Sequence, residues 1–330
     1  MARRGLERHG GPAHPGPRRA RRPAFRPCRA SRGTRGPPGD RHALRPPLRL
    51  LHPPVTVATP VTAGIWSHYD DDLLFAVPTL DRAILRGHHV RNLFLTASDA
   101  GTGISTYVTG RERGIRAAYD VMRGSSTPWT DRTTVLSNGV AATTTSPDDD
   151  PRIALTFLRL PDGGLTGGGW YATGYRTLPK LVDGRVSSLT TLDTERELTL
   201  DQLVDTIGAF ITESGASAVL TTMPDSAAQS EGDHPDHGAA GRLVAAAVDA
   251  GLVDGEVVRY AVGYPHRSWP ANLDAADVAR KIDVFTAYGA HDVVVRRDPE
   301  DYVSLPGFGD CLRREHHVDH RDLVRVEGRR

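Results

Sequence analysis

Apolar and polar positions follow two different periods along the chain. Apolar stretches of strand length predict β-strands at residues 63–67, 90–96, 153–160, 216–221 and 256–262. Stretches whose apolar residues recur every three or four positions predict helices at residues 107–122, from 199 onward, at 237–250 and at 274–287. This alternation of strand and helix predicts an α/β fold: a mostly parallel sheet with helices on both faces.

Two local signals add detail to this picture. Thr199 and Gln202 have the spacing of a capping box, which marks the start of a helix. The Gly- and Thr-rich stretches 138–150 and 163–174 follow neither period. We expect both to be loops over the strand ends, where long loops serve as substrate walls.

Two polar clusters lie at the ends of predicted elements. Residues 67–72 read Ser-His-Tyr-Asp-Asp-Asp and directly follow the first predicted strand. Residues 233–237 read Asp-His-Pro-Asp-His and open the third predicted helix. Because open α/β sheets bind ligands at the carboxyl ends of their strands, the first cluster is well placed for chemistry.

The side chains of these clusters match the needs of a hydrolytic zinc site. Such a site needs metal ligands, a carboxylate that accepts a proton from water, and an imidazole near the reacting carbonyl. His68 and Asp71 are three residues apart and can turn toward one ion, whereas Asp70 points elsewhere. His234 and His237 share one helix face, so both can approach the same site. These residues favour a metal hydrolase.

Other interpretations stay open on the residues alone. Three successive aspartates are typical of a solvated loop or a helix N-terminus, and a single His-x-x-His is no more specific. A magnesium-dependent phosphatase or nuclease would use Asp70, Asp71 and Asp72 around a hard cation, although imidazole favours zinc. A catalytically silent carbohydrate-binding protein on the same fold is the second alternative.

The two clusters together resemble the motifs of the PIG-L (LmbE-like) zinc-dependent deacetylases, which remove acetyl from N-acetylglucosaminyl and related amino sugars. Their His-Pro-Asp-Asp-(Asp/Glu) and His-x-x-His motifs stand here at residues 68–72 and 234–237. Further matches lie at residues 70–75, 94–97, 111–112, 116–119, 158–163 and 232–234. The resemblance covers about residues 63–295. Tyr69 replaces the usual proline, and we expect it to alter turn rigidity and the pocket wall more than the chemistry.

The resemblance implies a Rossmann-like (LmbE-like) fold and the hydrolysis of an N-acetyl group from an amino sugar or glycoconjugate by metal-activated water. It implies that Zn2+ binds to His68, Asp71 and His237. Asp70 would then be the general base. His234 would stabilise the oxyanion or protonate the leaving amine.

Four further residues are expected around this centre. We expect Asp72 and Asp236 to orient the metal ligands by accepting hydrogen bonds from them. The resemblance implies that Asp99 and Arg111 contact sugar hydroxyls. For Arg111, a structural pairing with Glu112 or the sheet edge is the alternative.

The charge distribution separates the chain into two parts. Residues 1–50 hold fourteen arginines against two acidic residues, a net charge of +12, so residues 51–330 carry −11 of the total of +1. The first part also has nine prolines and seven glycines. We therefore expect residues 1–54 to be a disordered segment and 55–330 to form the deacetylase domain. The segment could bind anionic partners, direct targeting or be a functionless extension. Beyond Phe25 it has no aromatic residues that could stack on bases, so nucleic acid is not expected as a partner.

No apolar run is long enough for a transmembrane segment, and none has the form of a signal peptide. The cytoplasm is therefore the default expectation for localisation, with export as the alternative if the true start lies elsewhere. Cys28 and Cys311 are not expected to form a disulfide framework, and neither adjoins a polar cluster.

Overall fold

A computed structural model describes residues 58–323. The predicted disordered segment, residues 1–54, lies outside the described residues. A central sheet of eight strands has the order β10-β9-β8-β1-β2-β5-β4-β3. The strands are β1 (Val61–Trp66), β2 (His89–Thr96), β3 (Trp129–Val135), β4 (Ala141–Pro147), β5 (Ile153–Leu160), β8 (Ala218–Thr222), β9 (Val258–Ala261) and β10 (His317–Asp319), while β6 (Ser188–Thr190) and β7 (Glu197–Thr199) form a separate hairpin.

The five strands predicted from the sequence form the parallel centre of this sheet. They are β1, β2, β5, β8 and β9, and each pairs in parallel with its neighbours in the order β9-β8-β1-β2-β5. Strands covered on both faces are apolar almost throughout, which explains why their sequences identified them. The predicted α/β fold with a mostly parallel sheet is confirmed.

The prediction of a loop at residues 138–150 was wrong. This stretch contains β4, which pairs antiparallel with β3 over its whole length and with β5 through residues 143–145. Its threonines are β-branched and suit a strand, but their polar side chains hide the apolar alternation. Gly139, at φ +81°, makes the turn between the two strands.

Eight α-helices flank the sheet in the described part of the chain. Their bounds are α1 (Asp71–Phe75), α2 (Thr79–Leu85), α3 (Thr106–Arg123), α4 (Leu178–Val182), α5 (Leu200–Ser214), α6 (Pro235–Asp249), α7 (Ala275–Gly289) and α8 (Phe308–Cys311). The four long helices are those predicted, and the capping box at the start of α5 is confirmed by reciprocal hydrogen bonds between Thr199 and Gln202. None of the described helices is both long and apolar enough to cross a membrane.

Each face of the sheet has its own hydrophobic core. Side chains of α2, α3 and α7 pack in one core, and those of α4, α5 and α6 pack in the other. Successive strand residues alternate between the two, so that Ile65 enters the second core and Trp66 the first. Helices therefore cover both faces, as the sequence predicted.

Two glycines of α3 allow the end of α7 to pack directly against it. A Cβ atom at Gly110 would lie 2.8 Å from the carbonyl oxygen of His291, and one at Gly114 would lie 2.7 Å from that of Tyr288. Both distances are too short for a side chain. Residues 288–291 are thereby placed beside the helix that carries Arg111.

Lys281 connects α7 to the last turn of α1. Its side chain is fully buried, and its ammonium donates hydrogen bonds to the carbonyl oxygens of Leu74 (2.7 Å) and Arg314 (2.8 Å). The carbonyl of Leu74 lies in the final turn of α1, where a helix favours a cation. The lysine thus supports the short helix that begins at Asp71.

This buried lysine makes stability depend on pH. Burial lowers the pKa of Lys281 from 10.5 to about 8, although Glu315 opposes the shift. Below pH 8 both the folded and the unfolded chain are protonated, and the cost of burying the charge is present in full. Between pH 8 and pH 10.5 the unfolded chain binds more protons, so the free energy of unfolding rises with pH.

We expect the wild-type protein to gain about 3 kcal/mol of stability over this range relative to Lys281→Met, in which this position cannot titrate. Urea unfolding of both proteins at a series of pH values measures the difference, and the comparison cancels the titration of all other groups. Unfolding free energies that change in parallel in the two proteins would contradict the prediction.

Candidate metal centre

The turn after β1 places His68 and Asp71 at the carboxyl end of the central strand. Asp71 Oδ2 accepts the backbone N–H groups of Ser67 (3.0 Å) and His68 (2.8 Å). These two hydrogen bonds close the turn and fix the carboxylate. They leave Oδ1 facing His68 Nδ1 at 3.3 Å. One oxygen of Asp71 therefore builds the turn, and the other faces the site.

His237 completes a triangle of ligand atoms. It lies in the first turn of α6, and its Nε2 is 3.0 Å from Asp71 Oδ1 and 3.3 Å from His68 Nδ1. Tetrahedral zinc sites with bond lengths near 2.0–2.1 Å separate their ligand atoms by about 3.3 Å. The three side chains are almost fully buried. Their spacing and their chemistry both fit a divalent zinc ion.

The carboxylates around this triangle of ligand atoms favour a positive charge there. Burial alone would lower the pKa of His237, but the carboxylates of Asp71 and Asp233 outweigh it and raise the pKa to about 10. Burial would likewise raise the pKa of Asp71, yet His237 and His68 hold it well below its usual range. A divalent cation would supply the positive charge that these carboxylates favour.

Asp233 orients His237 and was not among the predicted site residues. Its Oδ1 lies 2.9 Å from His237 Nδ1, which directs Nε2 toward the triangle. The same oxygen accepts the backbone N–H groups of His234 (2.8 Å) and Tyr264 (3.1 Å). At Gly263 any side chain would collide with the Asp233 carboxylate. The sequence signal was its place four residues before a proposed ligand, since ligating histidines usually donate to a carboxylate or carbonyl.

The two expected orienting aspartates differ in position. Asp236 lies 3.3 Å from His68 Nε2 through its Oδ2, which also accepts the N–H of Gly163 at 2.8 Å. Asp72 instead accepts hydrogen bonds from Asn92 (2.8 Å) and the Tyr119 hydroxyl (2.7 Å). One step along α1 turns the side chain of Asp72 away from that of Asp71, so these two hydrogen bonds do not reach a proposed ligand.

Asp70 and His234 line a cavity of about 550 Å³ beside the triangle. Asp70 Oδ1 accepts a hydrogen bond from Arg111 Nη2 at 2.7 Å. Burial is the main cause that raises the pKa of Asp70, and Arg111 counteracts it. Burial, together with His68 and His237, lowers the pKa of His234 to about 2. His234 is therefore a neutral imidazole.

The hydrogen bonding of His234 indicates its tautomer. Its Nδ1 caps α6 by accepting the backbone N–H of Asp236 at 3.2 Å. A neutral ring whose Nδ1 accepts carries its proton on Nε2. The ring packs edge-on against that of His68, with centroids 4.6 Å apart, and one of its nitrogens lies within 4.8 Å of nitrogens of His68 and His237. His234 can thus donate a hydrogen bond beside the candidate metal centre.

The expected sugar-binding residues lie in different surroundings. Asp99 is fully buried, and its two oxygens accept the N–H groups of Asp162 and Gly103, both at 3.0 Å. It shapes the loop that carries Asp162 to the cavity wall, and its expected contact with substrate stays a prediction. Arg111 does line the cavity, but its guanidinium contacts protein groups, including Asp70.

Tyr69 belongs to the core and not to the cavity wall. Its fully buried ring packs edge-on against Phe94 and Phe157, with centroids 5.5 and 5.0 Å away. Its hydroxyl donates to Glu112 Oε1 at 3.3 Å, and the same oxygen accepts from Arg159 Nε at 2.8 Å. The residue in place of the usual proline therefore fixes the turn through packing and a hydrogen bond.

Comparison with known proteins places this geometry in a family. The model of the PIG-L family, GlcNAc-PI de-N-acetylase, matches residues 64–248. No curated protein matched the chain.

Solved structures are similar to the chain at low identity. The zinc-inhibited form of teicoplanin deacetylase Orf2 is 18% identical with a TM-score of 0.41, over 76% of this chain and 88% of its own. The conserved protein TT1542 from Thermus thermophilus is 17% identical with a TM-score of 0.43, over 82% and 98%. The A40926 pseudoaglycone deacetylase Dbv21 is 17% identical with a TM-score of 0.41, over 75% and 85%.

The matched range of residues 64–248 covers more than half of the chain and contains both polar clusters. The resemblance seen in the sequence motifs is thus confirmed, and the chain belongs to the PIG-L family of GlcNAc-PI de-N-acetylases.

Proposed function

We propose that the protein is a zinc-dependent hydrolase that removes the acetyl group from an N-acetylated amino sugar within a glycoconjugate. The observation that carries the proposal is the triangle of His68 Nδ1, Asp71 Oδ1 and His237 Nε2, with sides of 3.0–3.3 Å. A carboxylate and a neutral imidazole flank it in one cavity. Membership of a de-N-acetylase family supports the same reaction class.

The proposed ligands of zinc are His68, Asp71 and His237. Bound there, zinc would lower the pKa of water from about 15.7 to about 7 and polarise the acetyl carbonyl. Asp233 and Asp236 accept hydrogen bonds from the far sides of the two imidazoles, which fixes their rings.

Asp70 is the proposed acceptor of the water proton. It lines the cavity next to Asp71, and Arg111 holds one of its oxygens. His234 is the proposed donor of a hydrogen bond to the oxyanion. Its Nε2 carries a proton, and its low pKa keeps the ring neutral. Between the two roles implied by the family, this geometry favours the oxyanion over protonation of the amine.

The lining of the cavity supports a glycoconjugate as substrate. It includes the polar side chains of Asp70, Arg111 and Asp162, which suit sugar hydroxyls. It also includes Leu165 and Trp170, which are 88% and 38% exposed. Large exposed apolar side chains beside a polar pocket are typical of a binding site for an amphipathic molecule.

The alternative of a magnesium phosphatase is less consistent with this arrangement. It would need the three successive aspartates to share a cation. Asp72 faces Asn92 and Tyr119 instead, and burial raises its pKa to about 8. Two imidazoles beside Asp71 also favour zinc over magnesium.

The metal ligands generate the first prediction from this proposal. Purified protein should contain one zinc per chain, and His68→Ala or His237→Ala should lose most of it because each removes one of three protein ligands. Elemental analysis measures occupancy. His88→Ala is the matched control, since His88 precedes β2 at the opposite end of the sheet. Full zinc retention in both ligand variants would contradict the assignment.

The proposed role of Asp70 generates the second prediction. Asp70→Asn should keep its zinc but lower kcat by about 100-fold or more, as expected for loss of a general base. Asp72→Asn is the control, because a carboxyl with a pKa of about 8 is already neutral near pH 7 and its amide is close in shape. Wild-type turnover in Asp70→Asn would assign the proton transfer to another residue.

The reaction itself is tested by acetate release from N-acetylglucosamine conjugates, chitooligosaccharides and glycolipid head groups, with and without a chelator. We expect release from at least one conjugate and its loss on chelation, since the metal activates the water. Cleavage of phosphate esters without any acetate release would favour the phosphatase. Sugar binding without either reaction would favour the silent binding protein.

A further inference from the structure

A buried cluster of charged and hydroxyl groups lies behind Asp70. Arg111 contacts Asp70 Oδ1 through Nη2 at 2.7 Å. On the far side, Arg111 Nε donates to the hydroxyl of Tyr288 at 2.6 Å and lies 3.1 Å from Asp292 Oδ2. Tyr288 in turn donates to the same oxygen of Asp292 at 2.8 Å. The exposed fraction of each of these four side chains is 9% or less.

All three nitrogens of the Arg111 guanidinium have hydrogen-bond partners. Its Nε is taken by Tyr288 and Asp292, and its Nη1 donates to the carbonyl oxygen of Ser98 at 3.1 Å. A guanidinium forms a two-point contact with a carboxylate by donating from Nη2 together with either Nε or Nη1. Nε and Nη1 contact other acceptors, and Nη2 contacts Asp70 at a single oxygen, Oδ1.

Tyr288 and Asp292 come from a part of the chain beyond the family match. The match ends at residue 248, whereas Tyr288 lies in the last turn of α7 and Asp292 follows it. Gly110 and Gly114 allow this segment to approach α3 closely, and Asp292 Oδ1 accepts the N–H of Val294 at 2.9 Å. The segment is therefore fixed relative to Arg111 on the same helix α3.

We infer that Tyr288 and Asp292 are positioning residues that restrict Arg111 to a one-point contact with Asp70. The other oxygen of Asp70 then stays available to water in the cavity. Without the two residues, Arg111 Nε would be released. The guanidinium would turn to hold both oxygens of Asp70, the geometry that arginine and carboxylate prefer. This inference rests on the proposed role of Asp70 as the base.

The test compares Tyr288→Phe, Asp292→Asn and the double variant with the wild type. Each change is close in shape to the native residue, so the backbone contact with α3 is retained. We expect the double variant to lower kcat by about 10-fold to 100-fold, the scale of a misplaced catalytic group, with KM and zinc content close to wild type. Tyr302→Phe is the control, because Tyr302 is also fully buried against α7 but its hydroxyl accepts the N–H of Arg297.

A second measurement separates positioning from a general loss of structure. Arg111→Gln should lower kcat less in the double variant than in the wild type, because the released arginine no longer positions the base correctly. An equal loss of kcat from Arg111→Gln in the wild type and in the double variant would contradict the inference. So would a double variant with unchanged kcat, or one in which only KM rises, which would assign Asp292 to substrate binding from its place on the cavity wall.

A crystal structure of the double variant provides a readout that does not need activity. We expect Arg111 to contact both oxygens of Asp70 there, and a retained one-point contact would overturn the inference. Wild-type protein that releases no acetate from any substrate would overturn the proposed function alone. The arginine geometry in the variant would still decide whether Tyr288 and Asp292 restrain Arg111.

Discussion

The carboxylate of Asp71 is the interaction on which the rest of the site depends. Its two oxygens have different contacts. Oδ2 closes the turn after β1 by accepting two backbone N–H groups, and Oδ1 faces the imidazoles of His68 and His237. Burying a carboxylate is unfavourable unless hydrogen bonds and opposite charge compensate for it. Because both kinds of compensation meet at this residue, the turn, the two histidines and the start of α1 are fixed together.

Three successive aspartates show how environment divides one residue type into three roles. Asp71 faces two imidazoles, and its pKa lies well below the usual range despite burial. Asp70 is buried beside a guanidinium. Asp72 is buried among neutral donors, and its pKa rises to about 8. The sequence presents these carboxylates as equivalent, and only the direction that each takes from the turn and α1 separates them.

The sequence predicted the parallel centre of the sheet and the long helices because those elements are covered by others and carry clear apolar periods. It did not predict β3, at the edge of the sheet, or β4 beside it, because these threonine-rich strands lack an apolar alternation. The two sequence motifs were enough to group His68, Asp71 and His237 as neighbours. The contacts of Asp99, Asp233 and Asp292 depend on loop paths and on packing between distant segments, which no local pattern specifies.

The position of β1 between β2 and β8 has a consequence for folding. His68 and Asp71 follow β1, while His237 follows β8 in a part of the chain about 165 residues later. The triangle therefore exists only after these two strands have paired, because His237 lies far along the unfolded chain from His68 and Asp71. A cation held there would bind the folded chain preferentially and would stabilise it by mass action. A zinc ion at this point would hold the two halves of the sheet together in addition to its part in the chemistry. The lifetime of the folded protein would then depend on the supply of the metal.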